Sequence, residues 1–243
     1  MQSCPADIIS RLQKEILSLQ GYKPVSGSLS VSPGLAPVRN AFPDQQIPLS
    51  TIHEFICPSP ESFSATNGFI TALLSSLMQK GGACLWISSS HKTFPAALPL
   101  FGVLPQRIIF VHVPKEKDVL WATEEALKCN GLAAVIAETK ELSFTASRRL
   151  QLAAEKSHVT GFLLRPQPKM LTPNVCSARW VITPVPGELP AGMPGIGFPG
   201  WKVELLKVRN GKPGQWQLEW NGKTFNHIIK QQQLPEMLHK KTG

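Results

Sequence analysis

Six short runs of almost unbroken apolar character, spaced by amphipathic stretches, constrain this chain most. They fall at residues 52–56, 83–88, 108–111, 133–137, 162–164 and 180–182. A strand exposed on one face alternates apolar and polar residues, whereas these do not, so both their faces are buried. Between them the spacing predicts helices. One is capped by Ser62 or Ser64 and runs to about residue 80, with Ile70, Leu73, Leu74, Leu77 and Met78 on one face, before Gly81-Gly82 stops it. Others span 118–129, stopped by Gly131, and 145–156. Apolar strands alternating with helices define an α/β fold: a parallel sheet flanked by helices and joined by right-handed crossovers.

Both ends of the chain depart from this rhythm. Ile9, Leu12, Ile16 and Leu19 recur at helical spacing after Pro5, so residues 1–20 form an N-terminal amphipathic helix. Its apolar stripe needs a cover, either this domain or a partner. Residues 21–44, rich in Pro, Gly and Ser, read as a linker, either laid over the surface or mobile. The core then occupies 45–229. Loops rich in Pro fall at 166–177 and 184–200. Segments 201–208 and 215–220 flank Asn210-Gly211, a strong turn signal, and form a C-terminal antiparallel hairpin that extends the sheet. Residues 230–243 are a polar, basic tail containing Lys230, Lys240 and Lys241.

Composition narrows the function classes. The formal net charge of +9 favours acidic partners, nucleic acid above all. The chain lacks a run of about 20 apolar residues, and its N-terminus has no signal-peptide pattern, so the expected location is the cytoplasm with no membrane contact. Cys4, Cys57, Cys84, Cys129 and Cys176 are scattered, with no C-x-x-C pair, which fits reduced thiols and no metal. None of the six His stands beside Ser or Cys in a nucleophilic arrangement. Glu124-Glu125 are neighbours on a helix, about 100° apart, and do not form a catalytic dyad.

A nucleotide site is the next possibility to weigh. A phosphate loop follows a strand and opens a helix; it needs glycines, a Lys for the β- and γ-phosphates and a Ser or Thr for magnesium. The segment in that place is Cys57-Pro58-Ser59-Pro60-Glu61-Ser62, continuing to Asn67-Gly68. It has one glycine, at its far end, and no Lys or Arg occurs from residue 41 to 79. Two prolines remove backbone donors and Glu61 repels phosphate. The run 83–88 leads into Ser88-Ser-Ser90 where an ATPase of this type would carry a water-activating Glu. Glu138, at the end of 133–137, reads as a strand-end surface residue. Gly195-Ile-Gly-Phe-Pro-Gly200 matches G-x-G-x-x-G, but a strand-like run follows it, so these are loop glycines. No cofactor is expected.

Several segments in order resemble the ImuA family, which is related to RecA and to the division inhibitor SulA. They are Ile47-Pro-Leu-Ser-Thr-Ile-His-Glu-Phe-Ile56, Gln106-Arg-Ile-Ile-Phe-Val111, Leu120-Trp-Ala-Thr-Glu-Glu-Ala-Leu127, Arg148-Arg-Leu-Gln-Leu-Ala-Ala154, Gly161-Phe-Leu-Leu-Arg-Pro166, Arg179-Trp180 and the hairpin from Trp201 to Trp216. The resemblance implies a RecA-like core and an accessory role in damage-induced, error-prone translesion synthesis. It implies an ImuB-type Y-family-like partner, with RecA and a replicative-type polymerase subunit as further ones; homo-oligomers are also compatible. A SulA-type inhibitor of FtsZ is the alternative. RecA-like loops at the strand ends contact single-stranded DNA, which makes Arg165, Lys169 and Arg179 the DNA-binding candidates. The stripe Ile9, Leu12, Ile16 and Leu19 is the partner-binding candidate. Trp201, Trp216 and Trp220 read as one covered face of the hairpin.

Overall fold

The computed structural model describes residues 33–90, 93, 95–187 and 197–228. Nine strands form one sheet in the order β3-β2-β4-β5-β1-β6-β7-β8-β9. They are β1 (Ile52–Cys57), β2 (Ala83–Ser88), β3 (Ile108–His112), β4 (Leu132–Glu138), β5 (Thr160–Pro166), β6 (Ala178–Val185), β7 (Gly200–Val208), β8 (Gly214–Trp220) and β9 (Phe225–His227). The first six pair in parallel and the last three are added antiparallel. The helices are α1 (Ala36–Arg39), α2 (Pro60–Leu77), α3 (Glu116–Leu127) and α4 (Phe144–Ser157). The parallel core and the hairpin turning at Asn210, which takes a left-handed φ of 57°, follow the sequence reading. The short third antiparallel strand β9 was not foreseen.

Both faces of the parallel strands are buried, as their unbroken apolar runs require. On one face α2 packs over Phe55, Phe162 and Trp180, and the same core continues under the antiparallel strands. There Trp201 meets Phe69 edge-on at 5.6 Å, and Trp220 meets Phe225 at 5.1 Å while donating from Nε1 to the Leu100 carbonyl. Trp201 and Trp220 are therefore core, and Trp216 packs against it partly buried. On the other face α3 and α4 cover Ile52, Ile87, Val135 and Leu163. This second core contains no residue of β6–β9, so among the described residues helical cover on that side ends at α4.

The linker reading of 21–44 needs correction over its described part. Residues 33–44 are packed: Leu35 and Val38 are fully buried and Phe42 lies against Trp180. Gly34 sits so close to β9 that a Cβ would stand 1.9 Å from the Phe225 carbonyl oxygen. The Lys212 N–H donates to the Ala41 carbonyl, tying this segment to the hairpin turn. Its prolines open short helical turns instead of an extended tether. Leu35→Ala is expected to lower the free energy of unfolding by about 2–5 kcal/mol in urea titrations; a tether would lose almost nothing.

His53 on β1 is buried beside Trp180. Its Nε2 bonds the Pro48 carbonyl, which leaves Nδ1 to accept from Trp180 Nε1. Burial holds its pKa down at about 4 against an ordinary 6.5. The unfolded chain therefore binds the proton more readily. The stability that neutral His53 contributes is complete above about pH 6.5 and is lost as pH falls toward 4. Urea titrations at pH 7 and pH 4 should show His53→Gln losing about 3 kcal/mol less than the native chain over that interval.

Candidate functional site

At the carboxyl end of the parallel strands, where a nucleotide site of this architecture would sit, β1 ends at Cys57 and α2 begins at Pro60. Only Pro58 and Ser59 lie between. Ser59, and not Ser62 or Ser64, is the N-cap: its hydroxyl accepts from the Ser62 N–H at 3.2 Å, with Pro60 in the first turn. A hydrogen bond from the Ser59 side chain, and a second from its own backbone N–H, hold the exposed Glu61 carboxyl below its usual range. A carboxylate thus already stands at the positive end of α2. Ser62 and Thr66 are buried, Thr66 donates to the Ser62 carbonyl, and Cys57 is packed against Thr66 with its thiol pushed up to about 11 by burial. Asn67 and Gly68 lie inside α2, and a Cβ on Gly68 would press on the Phe101 ring at 2.9 Å.

Glu138 is not the surface residue that the sequence suggested. It is 5% exposed, because three donors converge on it: Trp86 Nε1 at 3.0 Å, the Ser90 hydroxyl at 2.9 Å and the Thr93 hydroxyl at 3.2 Å. Its carboxylate anchors the segment after β2 to the end of β4. Gly200 opens β7, so the glycine pattern ending there has no helix to offer a phosphate. Glu124 pairs with Arg149 and Lys128, and Glu125 with Lys128. Among the described residues, no three His, Cys, Asp or Glu side chains converge as a metal would need, and no helix is long and apolar enough to cross a membrane.

The DNA-binding trio does not assemble. Arg165 is 2% exposed; its Nη1 donates to Glu54 at 2.8 Å, and its other nitrogens donate to the Lys140 and Met170 carbonyls. Arg179 donates from Nε to the same carboxylate at 2.6 Å and from Nη2 to the Thr172 carbonyl. Asn174 completes the cluster with a bond to Glu54 Oε2. Both guanidiniums are consumed inside the protein, and only Lys169 of the three is exposed. The expectation placed on Arg165 and Arg179 is therefore corrected: they hold the sheet. A signal for this existed, since Glu54 and Arg165 are lone opposite charges within two apolar strand runs. The stripe Ile9, Leu12, Ile16 and Leu19 and the tail 230–243 lie outside the described residues.

The buried cluster continues toward the face of the sheet beyond α4. Lys207 on β7 donates to the Asn174 carbonyl at 2.6 Å, and Gln151 on α4 bonds Thr51, the Ile52 N–H and Glu155. Between α4 and the end of β7 lies a cleft of about 370 Å³, unseen in the sequence because its residues come from three distant segments.

No family model matches the chain. Among solved structures, the RadB recombinase superposes with a TM-score of 0.50 at 11% identity, covering 74% of this chain and 92% of that one. The likeness defines the fold as RecA-like, a parallel core with an antiparallel extension. Among curated proteins, Protein ImuA of Caulobacter vibrioides (strain NA1000 / CB15N) is 34% identical over 194 residues, 75% of this chain and 80% of the relative. Protein ImuA of strain ATCC 19089 / CIP 103742 / CB 15 gives the same figures. The chain belongs to the ImuA family, as the residues quoted above led one to expect.

Glu54→Gln keeps the shape of the cluster but leaves two guanidiniums without a carboxylate. It is expected to lower stability by about 3–5 kcal/mol in urea titrations. Guanidiniums free to meet DNA would make that substitution nearly silent.

Proposed function

We propose that this chain is a non-catalytic accessory factor in damage-induced, error-prone translesion synthesis in the cytoplasm. It acts by binding an ImuB-type Y-family-like protein, with RecA and a replicative-type polymerase subunit as further partners. Family membership and the RecA-like fold support the accessory role in the damage response. The observation that carries the non-catalytic reading is the two-residue junction between β1 and α2. A phosphate cradle needs a loop whose N–H groups face inward and a lysine to meet the phosphates. Here Pro58 and Pro60 offer no N–H, Ser59 and Glu61 occupy the helix end, and no basic residue is near in sequence. Glu138, the one carboxylate at a place where magnesium could be held, is engaged by Trp86, Ser90 and Thr93. The docking role of Ile9, Leu12, Ile16 and Leu19 stands as part of the same proposal.

Thermal melting and calorimetry with magnesium and ATP test this reading. No shift and no heat of binding are expected. Low-micromolar binding, or hydrolysis abolished by Glu138→Ala, would overturn it. Under the proposal Glu138→Ala lowers only the melting temperature, by freeing the Trp86 and Thr93 donors.

A further inference from the structure

Among the described residues, helical cover on one face of the sheet stops at α4, and a cleft opens at that step. One wall is the outer side of α4, with Arg148, Leu152 and Glu155. The floor is Val175, and the far wall is the end of β7, with Lys207 and Arg209. Arg148 and Arg209 are exposed and make no ion pair among the described residues; Lys207 holds only a backbone carbonyl. Leu152 is 56% exposed, an apolar side chain displayed beside two free guanidinium groups. Val175 adds a second apolar surface, so the cleft sets three cations and one carboxylate around an apolar floor.

We infer that this groove between α4 and the end of β7 binds an acidic peptide segment with apolar anchors, supplied by another protein. Charge complementarity selects the occupant. Three cations against the single carboxylate of Glu155 call for at least two acidic groups, and Leu152 with Val175 calls for an aliphatic or aromatic side chain beside them. The long terminal segments of this chain do not fit. Residues 1–32 carry Asp7 and Glu15 against Arg11, Lys14 and Lys23, and residues 229–243 carry Glu236 against Lys230, Lys240 and Lys241. A second copy is disfavoured as well, because the chain is basic overall at +9. Nucleic acid fits less well than a peptide: the cleft has no aromatic lining for base stacking, and the carboxylate of Glu155 in its wall repels phosphate. The lining is also well supported from beneath. Asn174 joins Lys207 to Glu54, and Gln151 orients Glu155, so the charges are held in place before a ligand arrives. The inference rests on the reading that this chain acts by binding, and it names where and by what chemistry.

A display library of short random peptides, panned against the full chain, tests it. Enriched peptides should alternate Asp or Glu with Leu, Ile or Phe, and their affinity should fall with salt. The double variant Arg148→Glu with Arg209→Glu should bind them at least about tenfold more weakly at an unchanged melting temperature. Replacing the acidic residues of the peptide with Lys should restore binding to that variant. Leu152→Ala should weaken binding to the native chain without altering the charge selectivity. The inference is overturned if the enriched peptides are not acidic, if the double variant binds them as the native chain does, or if a dT oligonucleotide occupies the cleft and the variant loses that binding instead. No ATP enters the assay, so its failure leaves the ATP result standing, and ATP binding would leave the peptide result standing.

Discussion

A carboxylate with no exposure to solvent, on the central strand of the sheet, is the constraint on which the rest of this structure depends. Glu54 lies on β1 between β5 and β6, directly opposite Arg179 in register and diagonal to Arg165, whose partner is Ile56. Removing such a charge from water costs several kcal/mol, which only close, well-oriented cations can offset. Two guanidiniums and the Asn174 amide do so here. The remaining guanidinium N–H groups reach the Lys140, Met170 and Thr172 carbonyls, so the loop from 166 to 177 is shaped around the cluster. Because three neighbouring strands share one carboxylate, their register is specified where the sheet changes from parallel to antiparallel. Apolar contacts alone tolerate slippage far better than a hydrogen-bonded ion cluster does.

Much of the fold was legible because burial on both faces leaves a plain mark. Every run without alternation became a strand of the parallel core, and the Asn-Gly turn located the hairpin. What escaped were features set by tertiary contact. Residues 33–44 carry the Pro and Gly of a linker, yet Leu35, Val38 and Phe42 recur at spacings of three and four, which was the trace of their burial. The cap of α2 moved to Ser59 because Pro60 suits the first turn better than any later residue. The absence of lysine and the added prolines between β1 and α2 are visible without coordinates. The burial of the basic candidates was not, because a cation near a strand end has the same spelling whether it faces solvent or a buried carboxylate. The cleft at α4 joins residues near 148, 175 and 207, a combination that no local pattern announces.

The two faces of the sheet are unequal. On the α2 side a continuous aromatic core runs from Phe55 through Trp180 to Trp201, Trp220 and Phe225, and it fixes the antiparallel extension to the parallel part. On the other side, among the described residues, α3 and α4 cover only the parallel strands. The antiparallel strands contribute polar and half-buried residues there, including Glu204, Gln217 and Glu219. The core on that side therefore ends at a ledge, and the ledge is lined with charge.

The junction between β1 and α2 has an evolutionary consequence. With only Pro58 and Ser59 between strand and helix, a lysine introduced at either position would meet no cradle of backbone donors. Acquiring one would take an insertion, loss of the prolines and a new cap for α2, while Cys57, Ser62 and Thr66 kept their buried contacts. Each change alone would loosen the helix without creating an anion site. The junction therefore behaves as one unit, in which a single substitution disturbs the strand end, the cap and the first turn of the helix together.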